Sequence, residues 1–241
     1  MSQQHHIRSN TKYQLPLSFA GLFLVVLLTL FPPIVMGDVP WRKPLIGSIF
    51  GSICALGVFA VFSPNKCLSI LTIGKKKGMV GLDSAKLSSH GKSNALEGHH
   101  PNCGNYDAHV FRIRGKSVCA ACAGLLIGGL LALTMVAIYF FGDWSVTDYS
   151  SLMVLLGVIG VSFGLFQFKF SGLVRLSVNT FFVFGNLLIL VGVDDLLHSL
   201  FFDLFVVSLV VFWLLTRVSL SHRDHEMICS GCEVENCGIW V

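Results

Sequence analysis

Cys119 and Cys122, separated by Ala120-Ala121, are the pair in this chain best suited to chemistry. Two thiolates at that spacing close a tight turn around one tetrahedral ion, and further ligands then arrive from another segment. The upstream text supplies such ligands. It reads His99-His100-Pro101-Asn102-Cys103, followed by His109, so Cys103 is the expected third ligand and His100 or His109 the fourth. A lone C-x-x-C also fits a structural turn, a redox pair or acylated cysteines at a membrane entry. The company of Cys103 and the histidines favours metal. Arg112, Arg114 and Lys116 add positive charge nearby, and a helix opening at Cys119 would favour thiolates through its unpaired N–H groups.

A second cluster closes the chain. His222 and His225 precede Cys229-Ser230-Gly231-Cys232, and Cys237 follows. Cys229, Cys232 and Cys237 with a histidine are enough for a second tetrahedral site, or they complete the first.

The elements that must position these groups are membrane helices. Of 241 residues 54% are hydrophobic and only 12% charged, far too apolar for one soluble domain. A bilayer core about 30 Å thick needs roughly 20 apolar residues per helix. Six such runs are present, near Leu15–Met36, Leu45–Phe62, Ala120–Phe141, Ser151–Phe168, Leu173–Val193 and Leu196–Leu215. The first ends near a weak imitation of a signal-peptidase site, Val35-Met36-Gly37, but it is longer than a signal core, and Pro32-Pro33 reads as the end of a span.

Orientation follows from the basic residues. Of 17 Lys and Arg, only Arg42 and Lys43 fall on one side; the rest flank the N-terminus, the long loop, the Lys169–Arg175 region and the tail. Positive loops stay in the cytoplasm, so both termini and the long loop are expected there. In that reducing compartment disulfides are disfavoured. The expected fold is therefore an all-α cell-membrane protein of about six transmembrane helices. Residues 1–62 hold the first two spans, 63–119 a cytoplasmic Cys/His loop, 120–215 four spans and 216–241 a cytoplasmic Cys-rich tail.

Three G-x-x-x-G pairs, Gly47/Gly51, Gly124/Gly128 and Gly160/Gly164, mark where helices can approach closely. Cys54 reads as a packing residue and Cys67 as an acylation candidate. Asn179 and Asn186, seven apart, are expected as interhelical glue. Asp194, Asp195, His198 and Asp203 crowd the start of the sixth span. There Asp195 and His198 can share a helix face, and Asp194 or Asp195 can cap the helix. Soluble-enzyme motifs find no foothold. Gly91-Lys92-Ser93 lacks the P-loop glycine at Lys86, and no G-x-S-x-G or H-E-x-x-H occurs. The small basic excess gives no reason to expect a nucleic-acid partner, and the bilayer is the expected one.

His99, His100, Cys103, His109, Cys119, Cys122, Gly124 and Gly128 together resemble a stretch found in a group of uncharacterised prokaryotic multi-pass membrane proteins. In these, a Cys/His segment precedes C-x-x-C-x-G at the mouth of a helix. The likeness covers residues 99–128. With the C-terminal cysteine cluster added, the chain looks more similar to archaeal membrane proteins of unknown function. The resemblance implies a membrane scaffold with a metal site and carries no information on activity.

The leading expectation is a cytoplasmic Cys/His module folded around zinc, which needs no electron transfer and can stabilise so short a module. The alternatives are a redox protein with thiolate-bound iron–sulfur or dithiol chemistry, and a small transporter or metal-handling permease using Asp195, His198 and Asp203. The topology is testable directly. A membrane-impermeant thiol reagent should leave Cys103, Cys119 and Cys122 unlabelled in intact cells and label them in metal-free denatured membranes. A C-terminal reporter active only outside the cell would contradict the charge argument.

Overall fold

The structure, a computed structural model, describes residues 2–33, 39–62, 109–113, 116–142 and 144–230. Within them lie six long helices: α1 Ser2–Leu30, α2 Arg42–Phe62, α3 Ala120–Phe141, α4 Ser150–Leu165, α5 Gly172–Leu197 and α6 Leu200–Ser230. All six are long and apolar enough to cross a bilayer, the architecture of a multi-pass membrane protein. Bulky apolar side chains such as Phe23, Phe59, Leu130, Phe163 and Phe201 point outward, as a lipid-facing surface requires.

Successive helices run in alternate directions, so the bundle has two ends. One end carries the start of α1, the end of α2, the mouth of α3, the α4–α5 turn and the end of α6. The other carries the start of α2, the end of α3, the start of α4 and the α5–α6 turn.

The expected spans hold with differences at their ends. α3 matches its run. α1 ends at Leu30 ahead of Pro32-Pro33, short of Met36, because a proline restricts the residue before it and cannot donate to a helix. α6 passes the expected end at Leu215 and continues to Ser230. The reason is that Thr216 and Arg217 are buried rather than solvated, and the helix beyond them stays partly covered by the bundle. The stretch before α3 also contains an antiparallel hairpin, β1 Val110–Ile113 with β2 Lys116–Cys119, where only loop was expected.

α5 is the axis of the bundle. Phe182, Leu187, Ile189 and Leu190 on it are fully buried, and glycines bring α3 and α4 against it. A Cβ built on Gly157 would lie 2.5 Å from the carbonyl oxygen of Gly185, and one on Gly128 would lie 2.8 Å from that of Thr180. The Thr180 hydroxyl donates across the gap to the Gly124 carbonyl at 3.1 Å, a contact that the missing side chain of Gly124 permits. Gly47 packs on Phe140 of α3, and Gly160 and Gly164 on Phe181 and Phe182. All three glycine pairs thus lie at helix contacts. On the other flank, Ser18 of α1 donates to Thr216 of α6 at 3.1 Å, and the Trp213 indole donates to the Ser18 carbonyl at 3.1 Å.

Replacing Gly157 by Leu should lower stability in detergent by about 1–3 kcal/mol, because the α4–α5 backbones must separate. Gly57, with open space where its Cβ would stand, should accept Ala without loss. Equal effects at the two positions in a thermal unfolding series would refute the close-approach role.

Candidate functional site

Cys119 and Cys122 stand where β2 becomes α3. Cys119 closes the hairpin, pairs with Val110 and is the N-cap residue of α3, with no side-chain cap hydrogen bond. Cys122 lies in the first turn. The pairing carries His109, the residue before Val110, to the same end of the hairpin, where it is 4% exposed and Cys119 is 4% exposed. Neither cysteine is in a disulfide with a described residue.

Two other helices close on this corner. α6 brings Asp224, whose Oδ2 lies 3.5 Å from His109 Nε2 and 3.5 Å from a guanidinium nitrogen of Arg175 on α5. His225 of α6 packs its ring 5.5 Å from that of His109. Arg217, a few turns back along α6, donates to Gln167 at 3.0 Å and to Asn179 of α5, and sits 4.9 Å above the Phe182 ring. A thiolate at Cys119 would interact with the charges of Arg175 and Arg217, and one at Cys122 with that of Arg217. Positive charge is what a thiolate needs beside it.

The corner is under-satisfied. Asp224 Oδ2, Arg175 Nε and Arg217 Nε are buried without a hydrogen-bond partner among the described residues. The 3.5 Å contacts of Asp224 attract by charge but are too long for good hydrogen bonds. Also among the described residues, no three His, Cys, Asp or Glu side chains are arranged to hold a metal ion. His100, Cys103, Cys232 and Cys237 lie outside the described residues, as does the side chain of Cys229. The backbone of Cys229 stands on α6, one turn after His225.

Sequence reasoning brought His109, Cys119, Cys122 and the tail to one end and missed Arg175, Arg217, Gln167 and Asp224. From spacing alone Arg175 counts as a charge flanking a loop and Arg217 as a charge of the tail. The signal was present: Leu173-Val174 and Leu176 bracket Arg175, and Val218 and Leu220 follow Arg217, so both lie inside apolar text. Asn179 does join two helices, through Arg217. Asn186 joins none among the described residues: its amide donates at 2.7 Å to Phe182 of its own helix.

The other end of the bundle holds a second polar cluster. Arg42, fully buried, donates through one nitrogen to Asp194 and, at 2.6 Å, to Asp203. Tyr139 donates to Asp194 at 2.7 Å and Ser150 to Asp195 at 2.7 Å. Neither Asp194 nor Asp195 caps α6, because α5 continues through both to Leu197. They occupy its last turn, at the negative end of the helix dipole, which makes the donors from α2, α3 and α4 necessary. His198 shares no helix face with Asp195. It is an exposed residue in the left-handed conformation (φ 47°) that ends α5.

Comparison of the chain with protein-family models, curated proteins and solved structures finds no match. Arg42→Gln should cost about 3–5 kcal/mol, since it leaves buried carboxylates without their cation. Lys43→Gln should cost far less: Lys43 is only half-buried, with its ammonium over the Tyr139 ring. Reversible unfolding in mixed micelles would compare them, and equal losses would contradict the assignment of Arg42 as the counter-ion.

Proposed function

We propose that this chain is a cell-membrane protein whose cytoplasmic face is organised by zinc, at a composite site that joins the long loop to the end of α6. Cys119 and Cys122 are its obligatory ligands, with Cys103 as third. His109 or His100 and the tail residues Cys229, Cys232 and Cys237 supply the remainder.

The observation that carries this reading is a convergence. His109 from the loop, Cys119 and Cys122 from the mouth of α3, and Asp224 with His225 from α6 lie at one end of the bundle, where Asp224, Arg175 and Arg217 carry buried polar atoms that no described residue satisfies. Thiols and imidazoles that hold no metal gain little from being gathered beside two arginines. A zinc–thiolate centre gains more, because three thiolates around one divalent ion leave net negative charge, which Arg175 and Arg217 offset. Second-layer groups of this kind orient ligands and tune the ion, the role that fits Asp224 beside His109. The metal supplies folding free energy to a loop and tail with little apolar surface of their own. Such a face suits recruitment of a partner or sensing of metal.

Elemental analysis of the purified full chain tests the reading. Stoichiometric zinc is expected, and Cys119→Ser or Cys122→Ser should each remove most of it, hydroxyl being a poor substitute for thiolate. Cys229→Ser with Cys232→Ser should also lower the zinc content and expose the end of α6 to protease, as should a chelator. Full metal content in the Cys119→Ser/Cys122→Ser protein would refute the assignment, and iron with visible absorption would replace zinc by an iron–sulfur centre.

A further inference from the structure

The second polar cluster has a charge and geometry that its visible partners do not balance. Asp194 near the end of α5 and Asp203 in the first turn of α6 both accept from the same nitrogen of Arg42, so their carboxyl groups converge on one point. Both side chains, and that of Arg42, have no solvent exposure. Asp195, held by Ser150, adds a third carboxyl that is 6% exposed. The groups facing the pair are Arg42 and, at the rim, Lys43 from α2, Tyr139 from α3, Ser150 from α4 and Asp195 from α5. Among the described residues, the only full positive charge bonded to the two carboxyls is that of Arg42.

Tyr139 satisfies the second oxygen of Asp194. Asp203 is different: its Oδ1 is buried and no described group donates to it. A carboxylate oxygen without a donor, inside an apolar bundle and beside another carboxylate, is the costliest arrangement such a group can take. One hydrogen on the pair removes the difficulty. It turns two repelling acceptors into a donor and an acceptor, and leaves one negative charge for one guanidinium.

We propose that Asp194 and Asp203 form a proton-binding site, holding one shared proton at neutral pH within the bundle. A proton fits better than a metal cation, because no three acidic, His or Cys side chains among the described residues are arranged around an ion. The site is independent of the cysteine corner, which lies at the opposite end. Because the proton sits between α5 and α6, its release sets two charges against each other across the helix contact and favours their separation. Proton exchange is thereby coupled to the opening of this end.

Infrared spectroscopy of the full chain in lipid nanodiscs reads the proton directly. At neutral pH the wild-type protein should show the C=O stretch of a protonated carboxyl that shifts in heavy water and is the same in sodium chloride and choline chloride. The band should vanish in Asp203→Asn and in Asp194→Asn, and persist in Asp195→Asn. The asparagine in the first of these is nearly isosteric with a protonated carboxyl, so Asp203→Asn should fold and lose little thermal stability. Absence of the band in the wild-type protein overturns the proposal without need of any variant. Its persistence in both Asp203→Asn and Asp194→Asn does so too, and its loss in sodium alone would assign the site to a metal cation instead.

Discussion

One guanidinium holds the far end of the bundle together. Arg42 at the start of α2 reaches Asp194 on α5 and Asp203 on α6, while Tyr139 of α3 completes Asp194 and Ser150 of α4 completes Asp195. Five of the six helices therefore meet in one buried hydrogen-bonded cluster. Lipid chains are as apolar as the side chains they would replace, so apolar packing alone does little to select one arrangement of helices in a bilayer. A buried charge does select, because any arrangement that separates Arg42 from its carboxyls leaves an unpaired ion in an apolar medium.

Close backbone packing works with that constraint. Glycines on α3 and α4 let both helices settle on α5, and the hydroxyl of Thr180 uses the space left by Gly124 to bond its carbonyl. With α5 gripped on two sides, Arg175 near its start and Asp194 near its finish are placed at opposite ends of one rigid rod. The same packing that buries the core thus sets up two polar clusters of different character. One is rich in thiols, imidazoles and guanidinium groups; the other has more carboxyls than cations.

The cysteine end shows why spacing carries only part of a site. Cys119 and Cys122 stand out because C-x-x-C is a local pattern whose geometry a helix mouth preserves. Asp224 has no such pattern and matters only because α6 runs beyond the membrane-length stretch and swings it beside His109 and Arg175. The hairpin that seats His109 was not legible, because Val110-Phe111-Arg112-Ile113 and Lys116-Ser117-Val118-Cys119 are too short and do not alternate apolar with polar residues.

The sequence by itself determined the six spans, the placing of His109, Cys119, Cys122 and His225 at one end, and the glycine positions where helices touch. Each of these depends on local composition or on short periodic spacing, which no partner is needed to interpret. The tertiary structure alone decided the role of the arginines. Arg42, Arg175 and Arg217 look like boundary charges in the text, yet each is buried against groups brought from other helices. It also decided that Asp194 and Asp195 end α5 rather than begin α6. Only the neighbours make the carboxyls at that end tolerable, and those neighbours come from α2, α3 and α4, remote in the chain.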